Sequence, residues 1–179
     1  MKSDLELIAD FRNGDPNAIQ KVARRHHVSL LNFFYPLTGN RKLAERLTHD
    51  VFERLCIQVQ FCPAPAEPVR KFIITLYFAA YSSWLMHLQN APQALPPPPG
   101  EPLSEELQLA LLLAPLPNAL KPLLLFKDVV GMDYAEIAEL IGIPDAAVKL
   151  RITEAYSMLR DGLRAKTRLA APAGPAQEL

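Results

Sequence analysis

Residues 133–160 read DYAEIAELIGIPDAAVKLRITEAYSMLR, and their pattern decides the architecture. Asp133 is placed to cap a helix, and Glu136 three residues on completes a capping box, so side chains supply partners that a helix N-terminus lacks. Ile137, Leu140 and Ile141 follow as a buried stripe at helical spacing. Gly142 predicts the stop, because glycine takes the left-handed conformation that a helix end often needs. Ile143 plugs the corner, and Pro144 or Asp145 opens a second helix. There Val148, Ile152, Ala155 and Leu159 recur at four, three and four residues and line one face, which leaves Lys149, Arg151, Thr153 and Glu154 facing outward. Helix, short Gly-containing turn and helix is the helix-turn-helix plan, whose second helix enters the major groove of DNA. The same spacing also fits a plain helical hairpin inside an all-α bundle.

The segments leading into this unit are helical too. NALKPLLLFKDVVG (118–131) predicts an apolar helix, with Pro122 in its first turn where the missing N–H costs little. Ser104 caps SEELQLALLLAPL. Residues 91–103 begin APQALPPPPGEP; four consecutive prolines favour an extended, semi-rigid spacer and mark a boundary between a helical unit at 1–90 and another at 104–168. Residues 169–179 have the composition of a disordered tail.

Four more helices are expected in the N-terminal unit. Ser3 with Glu6 makes a capping box for a short helix carrying Leu5, Leu7, Ile8 and Phe11. Asp15-Pro16 opens the second, which runs to about Tyr35 and is closed by Pro36; Lys21, Arg24, Arg25, His26 and His27 are assigned to its solvated face. RKLAERLTHDVFERLCIQV (41–59) places Leu43, Leu47, Val51 and Leu55 on one stripe, and charged residues cover the rest. After a proline-rich turn at 63–68, VRKFIITLYFAAYSSWLMHLQ (69–89) is apolar nearly all round, so it is either buried on most sides or offers an apolar face to another chain. The fold class is therefore all-α, two small helical domains joined by a Pro-rich linker.

Composition narrows the function. The 179 residues hold 19 Lys and Arg against 19 Asp and Glu, a formal net charge of zero. Affinity for a phosphate backbone comes from basic residues displacing counterions, so any DNA surface here has to be local. Cys56 and Cys62 make neither a disulfide framework nor a metal site. No apolar run reaches the roughly 20 residues of a membrane span, and no signal peptide is evident, so the expected residence is cytoplasmic. The histidines stand without a Cys or Ser at a useful spacing, and there is no Gly-rich phosphate loop; no catalysis, cofactor, metal or small-molecule substrate is expected.

The order of elements resembles the bacterial sigma-70 family, in particular the small two-domain sigma factors of the extracytoplasmic function group. LIADFRNGDPNAI (7–19) is similar to the family's opening segment. AERLTHDVFERL (44–55) is similar to the helix that clamps the polymerase β′ subunit, and residues 116–160 resemble the domain that reads the upstream promoter element. The resemblance implies a non-catalytic initiation factor. Arg46, His49, Asp50, Glu53 and Arg54 would meet core RNA polymerase, and Lys149, Arg151, Thr153, Arg160 and Arg164 would touch promoter DNA. An anti-sigma-type protein is a further implied partner.

Where the family handles DNA, this sequence departs from it. In the strand-capturing helix, Phe78 and Ala79 stand where the family has Arg-Asn, Ser83 where it has Asp, and Met86 and His87 where it has basic residues. Tyr77, Phe78, Tyr81 and Trp84 are left as an apolar partner face or, by stacking on unpaired bases, a single-strand face. In the recognition helix the family's hydroxyl pair is Ala147 and Leu150, and two basic positions are Glu154 and Tyr156. Promoter DNA is therefore expected to be held weakly. Two readings stay open: a sigma-like factor that binds polymerase and directs initiation, and a sigma-fold protein that keeps protein contacts but has lost promoter melting and most DNA binding.

Overall fold

The computed structural model of the chain describes residues 2–61, 69–90 and 104–170. The proline-rich turn at 63–68, the spacer at 91–103 and most of the expected tail lie outside them. Every element among the described residues is helical: α1 (Asp4–Arg12), α2 (Pro16–Thr38), α3 (Arg41–Phe61), α4 (Val69–Asn90), α5 (Glu105–Leu113), α6 (Lys121–Leu124) running into a π-helical turn (Leu125–Val129), α7 (Tyr134–Ile141) and α8 (Asp145–Ala170).

The caps are where the side chains put them. The Ser3 hydroxyl accepts from Glu6 N–H while the Glu6 carboxylate accepts from Ser3 N–H, and Asp133 and Glu136 repeat the box with both bonds at 2.8 Å. Asp15 accepts from Asn17 N–H at 2.9 Å, ahead of Pro16 at the first helical position. Asn40 accepts from Leu43 N–H at 3.1 Å and Ser104 from Leu107 N–H at 3.3 Å.

Two expectations change. Pro36 does not close α2, which continues to Thr38. Its ring removes one donor, but the stop comes at Gly39, whose φ of 61° turns the chain left-handed and whose N–H donates to Tyr35 O at 2.8 Å. Arg25 and His26 also leave the solvated face. Asp4, in the first turn of α1, lies against α2 and draws both inward, with Arg25 Nη1 at 2.7 Å and His26 Nε2 at 2.8 Å. The His26 ring also meets the edge of Phe72 on α4, 5.6 Å between centroids.

This cluster has a pH consequence. Burial pushes the Asp4 carboxyl up, but hydrogen bonds from His26 and Arg25 and their charges hold it below the ordinary value of 3.8. A carboxyl lowered in the folded state stabilises the fold above that ordinary value, and the contribution is lost as pH falls through the lower native value. Asp4→Asn is expected to cost about 1–2 kcal/mol at neutral pH. It should also flatten the acid limb of a thermal-unfolding series below pH 4, whereas a variant with the same acid limb as the parent would show that another carboxyl sets it.

α2 is the hub of the molecule: α1, α3 and α4 pack on it from the N-terminal side of the sequence, and α5 lies along it from the other. At 23 residues it is about 34 Å long, enough to serve both. One continuous hydrophobic cluster results, running from Leu7 and Val22 through Phe33, Leu55 and Trp84 to Leu113, Phe126, Ile137 and Ile152. α4, apolar nearly all round in sequence, buries Phe72, Leu76, Tyr77, Ala80 and Trp84 in it. Among the described residues no helix is long and apolar enough to cross a membrane.

Candidate nucleic-acid and partner interfaces

α7 and α8 form the helix-turn-helix. Gly142 sits at φ 72° and ψ 33°, with its N–H on Ala138 O at 2.9 Å, and Ile143 N–H shares the same carbonyl at 3.2 Å. The chain then turns at Pro144, whose carbonyl accepts from Ala147 and Val148 N–H at 2.9 and 3.1 Å and starts α8. Val148, Ile152 and Ala155 are buried, and Leu159 packs half-buried against the same core.

The outward side of α8 carries Lys149, Arg151, Thr153, Arg160 and Arg164, all exposed. Several have work within the helix. Lys149 Nζ pairs with Asp145 at 2.7 Å and lies over the Tyr134 ring, 5.5 Å from its centroid. Thr153 donates its hydroxyl to Lys149 O at 2.8 Å, and Arg160 reaches Ser157 at 3.3 Å and Asp161 at 3.9 Å. Such exposed pairs are weak and readily exchanged for a phosphate. Leu150 is 70% exposed, an apolar side chain on a helix face otherwise lined by charge, with Glu154 one turn on. Tyr156, at a position where the resembling family is basic, donates to both oxygens of Asp128, at 2.8 and 2.9 Å. Burial, that hydrogen bond and the Asp128 charge push its phenol up to about 12. This tie between α8 and the π-helical turn was not read from the sequence; Asp128 and Tyr156 stand 28 residues apart with no spacing to signal it.

On α3, Arg46, His49 and Glu53 are exposed, and Asp50 and Arg54 are half-buried. His49 Nδ1 lies 3.4 Å from Glu53, and Arg54 Nη2 donates to Met86 Sδ at 3.1 Å, bridging α3 to α4. The five therefore share the outer side of one helix. His49, Asp50 and Glu53 bring one ligand atom each within 4.8 Å of one another, an open surface arrangement with no enclosing shell for a metal.

Of Tyr77, Phe78, Tyr81 and Trp84 on α4, three turn toward the core and one does not. Tyr77 and Trp84 are interior, and burial pushes the Tyr77 phenol up to about 12. Tyr81 is half-buried with its ring 5.9 Å from that of Phe126. Phe78 alone of the four is exposed, at 48%, with Leu85 and Met86 further along the helix. The reason is helical spacing: at about 100° per residue, positions 77, 81 and 84 fall within about 60° of one another and face the bundle, while 78 lies about 60° beyond the nearest of them. Phe126, whose ring meets those of Tyr77 and Tyr81, belongs in sequence only to an apolar helix.

Residues 106–159 match the family model described as Sigma-70, region 4. The fold of the chain is similar to that of CnrH, solved in complex with the cytosolic domain of CnrY, with a TM-score of 0.72 and 21% sequence identity, over 92% of this chain and 99% of that one. The match to sigma-70 region 4 thus covers most of the C-terminal unit, and the chain as a whole shares the all-α fold of CnrH.

Proposed function

We propose that the chain is a transcription initiation factor that docks on core RNA polymerase through α3 and approaches promoter DNA through α8, without catalysis of its own. The observation that carries this reading is the region 4 helix-turn-helix with Lys149 and Arg151 on its exposed side. Arg46, His49, Asp50, Glu53 and Arg54 are the polymerase contacts, and Thr153, Arg160 and Arg164 add backbone contacts to those of Lys149 and Arg151. CnrH, similar in fold, is solved bound to a segment of a second protein, and we extend that to an anti-sigma-type partner for this chain, in the cytoplasm. The units at 1–90 and 104–168 divide these tasks between polymerase and DNA.

A second reading, in which protein contacts persist and promoter melting is lost, is favoured by one observation. Of the aromatics on α4, only Phe78 is exposed, and no Lys or Arg lies on that helix beyond residue 71 to hold an unpaired strand. In vitro transcription separates the two. Core polymerase with the purified chain, on a supercoiled library of genomic fragments, should give RNA 5′ ends clustered at defined positions. Ends no different from those of core enzyme alone, with the chain bound to the polymerase, would leave the second reading standing.

A further inference from the structure

The two most exposed large apolar side chains among the described residues are Leu150 of α8, at 70%, and Val28 of α2, at 62%. Each stands at one end of a line of charge of a single sign. Successive residues of a helix point about 100° apart, so Leu150, Glu154, Ser157 and Asp161 fall within about 60° of one another. They lie opposite the buried stripe Val148, Ile152 and Ala155, with both acids exposed. On α2 the same spacing sets Asn17, Lys21, Arg24 and Val28 on one line, all exposed and facing away from the buried Val22, Phe33 and Leu37.

The charges on these lines are not used inside the chain. α2 contains no Asp or Glu, so its cations have no acid on their own helix. Arg25 turns inward to Asp4, whereas Lys21 and Arg24 meet no carboxylate among the described residues, and Glu154 meets no cation. Other exposed cations do find an acid: Lys2 pairs with Asp10, Arg41 with Glu45 and Lys149 with Asp145.

The two lines also match in order and length. Arg24 and Asn17 stand four and eleven residues before Val28, and Glu154 and Asp161 stand four and eleven after Leu150, so each line spans about 16 Å. Laid antiparallel, Val28 falls on Leu150, Arg24 on Glu154 and Asn17 on Asp161, with Lys21 opposite Ser157 between the two acids. Either line would repel a copy of itself, while one of each attracts. Both are exposed on the same chain, so the fold does not bring them together within it.

We propose that the exposed face of α2 docks antiparallel on the outward line of α8 of a second copy of this chain. The contact joins two different patches, so it closes where the rotation between copies allows and otherwise runs on into longer assemblies. It does not rest on the reading of α8 as a DNA-contacting helix.

Sedimentation velocity of the full chain at low salt, from micromolar concentrations upward, reads the association. The parent is expected to gain mass above 19.9 kDa as its concentration rises. Arg24→Glu and Glu154→Arg each set like charges against one another and should weaken association at least about tenfold. Helix content by circular dichroism should not change, since both side chains are exposed. Mixed in equal amounts, the two variants restore opposite charge at every contact between them, and association should return to near the parent's strength. A parent that stays monomeric throughout overturns the proposal, and so does a mixture that associates no better than its components. Association that survives both single variants but is lost in Phe78→Glu overturns it too, by moving the contact to the exposed aromatic of α4.

Discussion

Replacing Lys149 and Arg151 together with alanine is expected to abolish measurable duplex binding by the full chain. The expectation comes from counting charges. The exposed side of α8 offers Lys149, Arg151, Arg160 and Arg164, and Arg160 is already shared with Asp161. About 2 to 4 phosphates can then be neutralised, each contributing about −0.9 to the slope of log affinity against log salt, so the parent chain should bind weakly with a slope of about −2 to −4. The acidic Glu154 stands exposed on the same helix, where it repels the backbone. Glu154→Arg removes that repulsion and adds a contact, and should tighten binding about tenfold at low salt while steepening the slope by about one. A salt titration by fluorescence anisotropy on the three proteins checks the set. A parent chain that binds tightly with a steep slope would mean that a basic surface lies elsewhere. No response to Glu154→Arg would mean that α8 does not face DNA.

The second large effect belongs to α3. Reversing both Asp50 and Glu53 to lysine should lower affinity for core polymerase by at least about tenfold, in line with the cost of removing charged contacts at an interface. Helix content should be unchanged, since Glu53 is exposed and Asp50 only half-buried, while the stripe that folds α3, Leu43, Leu47, Val51 and Leu55, is untouched. His49 would lose its 3.4 Å neighbour Glu53, an exposed pair that contributes little to the fold. Retained affinity would take the polymerase contact away from this helix.

How much of this was legible in the sequence depends on how local the cause is. The capping boxes at Ser3 and Asp133, the Asp15-Pro16 start and the Gly142 turn are each settled within four residues, and the structure has them where the side chains imply. The buried stripe Val148, Ile152, Ala155 was equally plain, because 3.6-residue periodicity survives any choice of neighbours. What the sequence left hidden is tertiary. Nothing near Asp4 signals that Arg25 and His26, 21 and 22 residues on, turn in to meet it. Pro36 reads as a terminator, yet its ring falls close enough to the true end at Gly39 for the helix to absorb it.

The aromatics of α4 show the same limit. Their spacing could not tell a stacking face from a core, and the answer lay in Phe33 and Phe126, 44 residues before Tyr77 and 49 after it. One signal of tertiary contact is nevertheless local. The run Leu123–Phe126, four large apolar residues with no polar interruption, belongs to a helix covered on more than one side, and so pointed to contact with a second unit. The recognition helix was legible in the opposite sense: Leu150 and Glu154 stand exposed as the pattern implies, with Ala147 half-buried, while the bond from Tyr156 to Asp128 needed the fold to appear.

Binding to core RNA polymerase is the claim on which the rest depends, and gel filtration of the purified full chain with purified core enzyme measures it directly. At micromolar concentrations the account predicts that the 19.9 kDa chain shifts into the polymerase peak. It should leave that peak when Asp50 and Glu53 carry reversed charges. A chain that elutes at its own volume, apart from the polymerase at low and moderate salt alike, would contradict the assignment.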